Sequence, residues 1–232
     1  MPRVLAIIPA HNEEATIAGV VSQTKKYVRD VVVIDDGSGD RTAQLARQAG
    51  AFVISRVWAG GYGAAQRTGH LYAIREGYNY VIQLDGDAQH NPKYIPKLLR
   101  PALSGKYDLV IGSRFLNGSH KKFSFVRRCG IAWFTFVVRH LAKLDITDVT
   151  SGYKVFKVSS LKKLERCADM YPAVQQMLEM ARKGFKIKEV SVKMTLREHG
   201  SSHLNSFKSF FFYPVRMTNI IFTFLIFGGG RK

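Results

Sequence analysis

The chain is poor in cysteine, in acidic residues and in long apolar runs. Only Cys129 and Cys167 occur among its 232 residues, and no CxxC pair is present. A disulfide framework or a thiolate zinc site is therefore not expected, and a reducing compartment fits best. No uninterrupted apolar stretch reaches the roughly 20 residues that a membrane-spanning helix needs. The opening segment MPRVLAIIPA is too short and too poorly flanked for a secretory signal. It reads instead as a first buried strand. Seventeen Asp and Glu stand against thirty-five Lys and Arg, a formal charge of +18. That excess favours a polyanionic partner, whether anionic lipid, nucleic acid or a phosphorylated substrate.

Hydrophobic residues make up 46% of the chain, enough for one large domain with its own core. Short apolar runs at Val4–Ile8, Val31–Ile34, Ala51–Ile54, Tyr80–Leu84 and Leu109–Ile111 read as strands, the first ended by Pro9. Between them lie helical patterns: Glu14–Tyr27, a stretch capped by Asp40 and ending near Gly50, and one opening at Gly60-Gly61-Tyr62-Gly63 and closing near Gly77. Another starts at Asn91-Pro92. Beyond them, Gly152–Lys157, Ala173–Arg182 and Lys186–Lys193 read as strand, helix, strand. The alternation predicts an α/β fold with a mostly parallel central sheet and helices on both faces. In such sheets ligands bind beyond the carboxyl ends of the strands. Three of those ends are polar: Asn12-Glu13, Asp35-Asp36 and Asp85-Gly86-Asp87.

Asp85 and Asp87 are the central expectation. Two carboxylates one residue apart at a strand end can share one hard cation, and Mg²⁺ or Mn²⁺ commonly bridges carboxylates to substrate phosphates. Gln89 adds a neutral oxygen, and Gly86 is expected to leave room for a ligand against the backbone. A lone D-x-D turn after a strand is common. The weight comes from its position in series with two other polar strand ends.

The segments IIPAHNEEATI, VVVIDDGSGDRT, QLDGDAQHNP, VIGSRF and DVTSGYKVFK stand in the order seen in family 2 glycosyltransferases of the GT-A fold. From about Val4 to Leu204 the chain resembles dolichol-phosphate mannose synthases and related polyprenyl-phosphate glycosyltransferases. The resemblance implies an inverting transfer from a UDP- or GDP-sugar to a membrane polyprenyl phosphate, aided by Mg²⁺ or Mn²⁺. Pro9, Ala10, Asn12 and Glu13 would line the nucleotide pocket, and Asp35 and Asp36 would contact base and ribose. Asp85, Asp87 and Gln89 would form the metal-binding run, with Gly86 and Ser151 beside the donor. The sequence departs from the family at Lys154, where relatives carry Arg, and at His203, where they often carry Lys.

Arg114, Arg127, Arg128 and Arg197 are expected on the acceptor side, where a guanidinium fork matches phosphate oxygens. An acceptor phosphate is already ionised near neutral pH and needs positioning rather than a base. A saccharide or protein hydroxyl would need one, and Asp148 is the residue placed for it. Residues 1–206 read as the catalytic domain. Residues 207–232 read as an aromatic and basic interfacial tail, with Phe123–Leu141 offering a second membrane contact. A homodimer or a separate membrane partner is compatible with the same apolar surfaces. The expected location is cytoplasmic, peripheral at the inner face of the membrane. A nucleic-acid-binding protein is the rival that charge alone would favour, but no binding motif or aromatic platform supports it. A nicotinamide dehydrogenase is disfavoured because Gly61-Tyr62-Gly63-Ala64-Ala65-Gln66 lacks the last glycine and does not follow the first strand. His199 and His203 stand at helical spacing without supporting ligands.

Overall fold

The computed structural model describes residues 2–116, 118, 125–142, 144–164 and 172–195. Arg197, His199, His203 and the Phe207–Phe227 tail lie outside the described residues. The strands are β1 (Val4–Ala10), β2 (Asp30–Asp35), β3 (Phe52–Ser55), β4 (Tyr80–Gln83), β5 (Leu109–Ser113), β6 (Lys154–Lys157) and β7 (Ile187–Ser191). They form one sheet in the order β3-β2-β1-β4-β6-β5-β7. All neighbouring pairs are parallel except those made by β6, which runs antiparallel to both β4 and β5.

The central parallel strands β1 and β2 are covered on both sides, which is why β2 reads as an unbroken apolar run. Leu5, Ile7, Val32, Ile34 and Val81 pack on one face with Ala65 and Ala73 of α3 (Tyr62–Arg75). Val138 of α5 (Phe125–Ala142) and Met177 and Leu178 of α7 (Pro172–Arg182) join that layer, beside α6 (Val158–Leu161). Ala6, Ile8, Val31, Val33 and Ile82 point the other way. They meet Ile17, Val20 and Val21 of α1 (Ile17–Lys25), Ala46 of α2 (Thr42–Gln48) and Ile95 and Leu98 of α4 (Ile95–Leu103). The alternation along β1 sends successive side chains to opposite layers.

Pro9 does not end β1. It pairs in register with Ile34, and the strand continues to Ala10. A proline in a central strand loses one ladder donor. Here its side of the strand faces past the end of β4, where only its carbonyl is used, accepting from Gly86 N at 3.3 Å. The antiparallel β6 is the other departure from a simple alternating pattern. It starts, at Lys154, opposite Gln83 and Ile111. The loop leading into it, residues 147–153, is thereby delivered to the same edge as the carboxyl ends of β1, β2, β4 and β5.

Candidate active site

The end of β2 is fixed by its own acidic pair. The Asp36 carboxylate is buried and accepts the Arg56 guanidinium, Gly60 N at 3.1 Å and Gly61 N at 2.7 Å. It anchors the loop that enters α3, and the two backbone donors at that helix start are spent on it. Asp35 is also buried and accepts Ser38 N at 3.2 Å. Gly37 follows with φ +67°, and a Cβ there would meet Ala59 N at 2.8 Å. The glycine is needed both for the left-handed backbone and for this close approach. On the β1 side, Asn12 takes φ 55° and accepts Gly39 N at 2.9 Å, while Glu13 N donates to Thr42 Oγ1 at 2.7 Å. Asn12, Glu13, Asp35 and Asp36 therefore share one corner of the sheet edge.

Asp85 follows β4 and is surrounded by polar groups. Tyr62, the first residue of α3, donates its hydroxyl to Asp85 Oδ1 at 2.9 Å and accepts from Gln83 Nε2 at 2.7 Å. Burial of that hydroxyl, with the Asp85 charge beside it, raises the Tyr62 pKa well above its ordinary value. Asp85 N donates to His90 Nδ1 at 3.0 Å. His90 is buried, stacks on Tyr153, and is pushed down to about 4 by that burial. A neutral ring whose Nδ1 accepts carries its proton on Nε2. Asp87 accepts Gln89 N at 3.1 Å across Ala88, which stands at φ 61°. Asp85, Asp87 and Gln89 are all half-buried.

These groups suit a hard divalent cation. Asp85 and Asp87 offer only oxygen donors from a partly open strand end, and Mg²⁺-type sites typically combine one or two carboxylates with water and substrate phosphate. Among the described residues no group of three or more His, Cys, Asp and Glu is assembled for a metal. An ion held here would complete its shell from outside the protein.

Gly86 does not serve the purpose expected of it. A Cβ on Gly86 would meet Ala10 Cβ at 3.2 Å and Glu13 Cγ at 3.5 Å, so its small size lets the β4 end pack on the β1 end. Close approach to the polar centre belongs instead to Gly152. A Cβ there would meet the Tyr62 hydroxyl at 2.8 Å, His90 Cε1 at 3.1 Å and Asp85 Oδ2 at 3.2 Å.

Arg114 and Asp148 form one buried unit. Arg114 donates from Nε to Asp148 Oδ2 at 2.7 Å and from Nη2 to Asp148 Oδ1 at 2.6 Å, and its backbone N reaches Oδ2 at 3.0 Å. Nη2 also donates to Thr150 Oγ1 at 2.7 Å. Asp148 has no solvent exposure. A general base must reach the proton it removes, and this carboxylate is filled by a guanidinium within the protein. The expectation of a base at Asp148 has no geometric support, and the Arg114 fork is directed at Asp148. Both residues brace the 147–150 loop. Glu189 of β7 holds the loop's other side, accepting Thr147 N, Thr147 Oγ1 and Asp148 N, each at 2.8 Å. Ser151 is buried and donates to Gly112 O at 2.7 Å. Arg128 is half-buried on α5.

Between the Asp85 end of β4 and this loop lies a cavity of about 120 Å³, lined by Tyr62, Gln66, Gln83, Asp85, Thr150, Ser151, Gly152 and Lys154. Sequence reasoning named Asp85 and Ser151 as site residues. It missed Tyr62, Gln66 and Gln83, which reach the cavity from α3 and β4, and Glu189 behind it. For Gln83 the available signal was a Gln inside the apolar run Tyr80–Leu84; Gln66, beside Arg67 and Thr68 in α3, gave none.

Comparison with known proteins bears on the family and the fold. The glycosyl transferase family 2 model matches residues 5–165. An uncharacterised protein of Methanocaldococcus jannaschii is 31% identical over 90% of this chain and 89% of its own. The undecaprenyl-phosphate mannosyltransferase of Micrococcus luteus is 30% identical, with 88% of each chain covered. Among solved structures, glucosyl-3-phosphoglycerate synthase of Mycobacterium tuberculosis, in complex with Mn²⁺, UDP and glucosyl-3-phosphoglycerate, aligns with a TM-score of 0.72 at 21% identity. The alignment covers 97% of this chain and 79% of that one. The likeness establishes the GT-A architecture expected from the motifs.

Proposed function

The chain belongs to glycosyltransferase family 2, and on that footing we propose that it transfers a sugar from a nucleotide-diphosphate donor to a polyprenyl phosphate at a membrane surface. The observation that carries the site is the Asp85-Gly86-Asp87 run at the end of β4, with a cavity between Asp85 and Thr150, Ser151 and Gly152. Relatives such as the Micrococcus luteus enzyme, named for undecaprenyl phosphate, support the lipid acceptor.

In this reading Asp85, Asp87 and Gln89 hold Mg²⁺ or Mn²⁺, which when bound offsets the charge of the departing diphosphate. The nucleoside lies over the Asn12, Glu13, Asp35 and Asp36 corner, beside Pro9 and Ala10. Asp36 acts there by fixing the loop before α3, and Asp35 by fixing the turn at Ser38. Tyr62 and His90 orient Asp85. The acceptor phosphate oxygen forms a bond to the anomeric carbon as the bond to the diphosphate oxygen breaks, and the nucleoside diphosphate leaves. That phosphate is ionised near neutral pH, so no base is required. This agrees with the engagement of Asp148 by Arg114. Arg114 serves as a positioning residue for Thr150 at the cavity rim, and Arg128 and Arg197 remain proposed for the acceptor phosphate.

No helix among the described residues is long and apolar enough to cross a membrane. On α5, Trp133 and Phe136 are exposed and stack on one another, with Arg139 exposed nearby. We assign this stripe to a lipid surface, together with the 207–232 tail, and place the protein at the cytoplasmic face. The test supplies short-chain polyprenyl phosphate, Mn²⁺ and a panel of UDP- and GDP-sugars, and looks for lipid-linked sugar. Product with one or a few donors supports the proposal. Transfer only to saccharide or protein hydroxyls, or to nothing, refutes it.

A further inference from the structure

Tyr62 is held from both ends. Gly61, just before it, takes φ 89° and donates its N–H to the buried Asp36 carboxylate at 2.7 Å. The helix α3 begins at Tyr62, whose hydroxyl meets the end of β4. A phenol has one proton to donate, and Gln83, with no solvent exposure, decides where it goes. Gln83 Oε1 accepts Gln66 Nε2, so its own Nε2 faces the other way. It donates to the Tyr62 hydroxyl oxygen at 2.7 Å and to Gly152 O at 3.3 Å. The Tyr62 proton is thereby directed to Asp85 Oδ1, at 2.9 Å. Asp87 is held in a similar way, its Oδ1 accepting Gln89 N at 3.1 Å. Each carboxylate of the pair thus commits one oxygen to the protein.

We propose that Tyr62 is a specificity-determining residue that makes the site favour small octahedral cations, Mg²⁺ and Mn²⁺, over Ca²⁺. The inference rests on the cation reading of Asp85 and Asp87 given above and deepens it by assigning a residue to the choice of ion. Ca²⁺ takes roughly six to eight oxygen ligands at about 2.3–2.6 Å and often uses both oxygens of one carboxylate. Mg²⁺ is smaller, keeps a near-ideal octahedron at about 2.0–2.1 Å, and draws much of it from water and phosphate. Mn²⁺ takes a similar octahedron of oxygens. A carboxylate that chelates an ion turns both oxygens toward it. Asp85 cannot do so while Oδ1 is turned to the Tyr62 hydroxyl, and Asp87 is restrained alike by the Gln89 amide. One oxygen from each suits an ion that fills its shell from water and the donor diphosphate. It leaves short an ion that needs more. To chelate Ca²⁺, Asp85 must break its bond to Tyr62, and hydrogen bonds to a charged acceptor are the strong ones.

Calorimetric titration of UDP and of GDP into the protein with Mg²⁺, Mn²⁺, Ca²⁺ or no divalent cation reads the choice of ion without turnover. For the nucleotide that binds, wild type is expected to bind at least about tenfold more tightly with Mg²⁺ or Mn²⁺ than with Ca²⁺. Tyr62→Phe, which removes only the hydroxyl, is expected to bring the Ca²⁺ value to within about threefold of the Mg²⁺ value. Tyr62→Met, flexible enough to fill the same space, gives the same answer if the Phe variant does not fold. Loss of mere support for the site would weaken binding with all three cations together and keep their ratio. A folded variant with the wild-type ratio therefore overturns the inference. So does wild type that binds as tightly with Ca²⁺ as with Mg²⁺, and both results leave the cation reading intact. Wild type that binds equally with and without any divalent cation, or that binds neither nucleotide, overturns both.

Discussion

Single side chains at the β4 edge carry more than one task, and this makes their substitution informative. Gly152 is there because its backbone lies against Tyr62, His90 and Asp85. Gly152→Ala inserts a Cβ at 2.8 Å from the Tyr62 hydroxyl, so Tyr62 or Asp85 must move. Small displacements of positioned groups are costly, and the expected loss is about 10²-fold in transfer rate. Circular dichroism of the variant should match wild type, and an Ala variant with full turnover would show that the contact is unimportant. His70 offers a test of stability instead. It is buried against Phe156, and burial lowers its pKa to about 3. The folded state therefore resists a proton that the unfolded state takes up near 6.5. The stability due to neutral His70 is complete above 6.5 and is lost as pH falls toward 3, at up to about 1.4 kcal/mol per pH unit. His70→Leu should flatten that acid limb in urea titrations between pH 7.5 and pH 5. An unchanged slope would assign the limb to other groups.

At the scale of elements, the informative piece is the antiparallel β6 with the loop before it. The sequence showed each strand through its apolar run, and the clustering of Asn12-Glu13, Asp35-Asp36 and Asp85-Gly86-Asp87 at one edge was readable because parallel strands share an end. Strand direction was not readable. Val155 and Phe156 are buried on opposite faces whichever way β6 runs, so the local pattern carries no polarity. For the same reason the burial of Asp148 against Arg114 stayed hidden: a carboxylate before Thr150-Ser151-Gly152 looks alike as a base or as a strut until β5 and β6 are placed side by side. Gly86 and Gly152 show the same limit, since only the packed structure tells which glycine is pressed against which neighbour. The strut reading has its own consequence. Arg114→Met leaves the Asp148 carboxylate buried without its guanidinium, and breaking a buried pair in this way costs about 3 kcal/mol or more. The denaturant midpoint should fall accordingly, and a variant as stable as wild type would mean that the pair is not a brace.

For the whole molecule, the excess of eighteen positive charges and the exposed Trp133 and Phe136 on α5 fit a protein that meets anionic lipid. Binding to phosphatidylglycerol vesicles should weaken as salt rises, because the attraction is screened. Trp133→Ser combined with Phe136→Ser should weaken it at every salt concentration. Sedimentation unaffected by both changes would remove this face from the membrane contact. The central claim concerns the β4 carboxylates, proposed to grip the ion that carries the donor diphosphate. It is tested most directly by calorimetric titration of the preferred nucleotide sugar into wild type and Asp87→Ala, each with and without Mn²⁺. The account predicts tight binding only for wild type with Mn²⁺, and weak binding in the other three cases while the variant keeps its thermal midpoint. Equal affinity with and without Mn²⁺, or an Asp87→Ala variant that binds as wild type does, would contradict it.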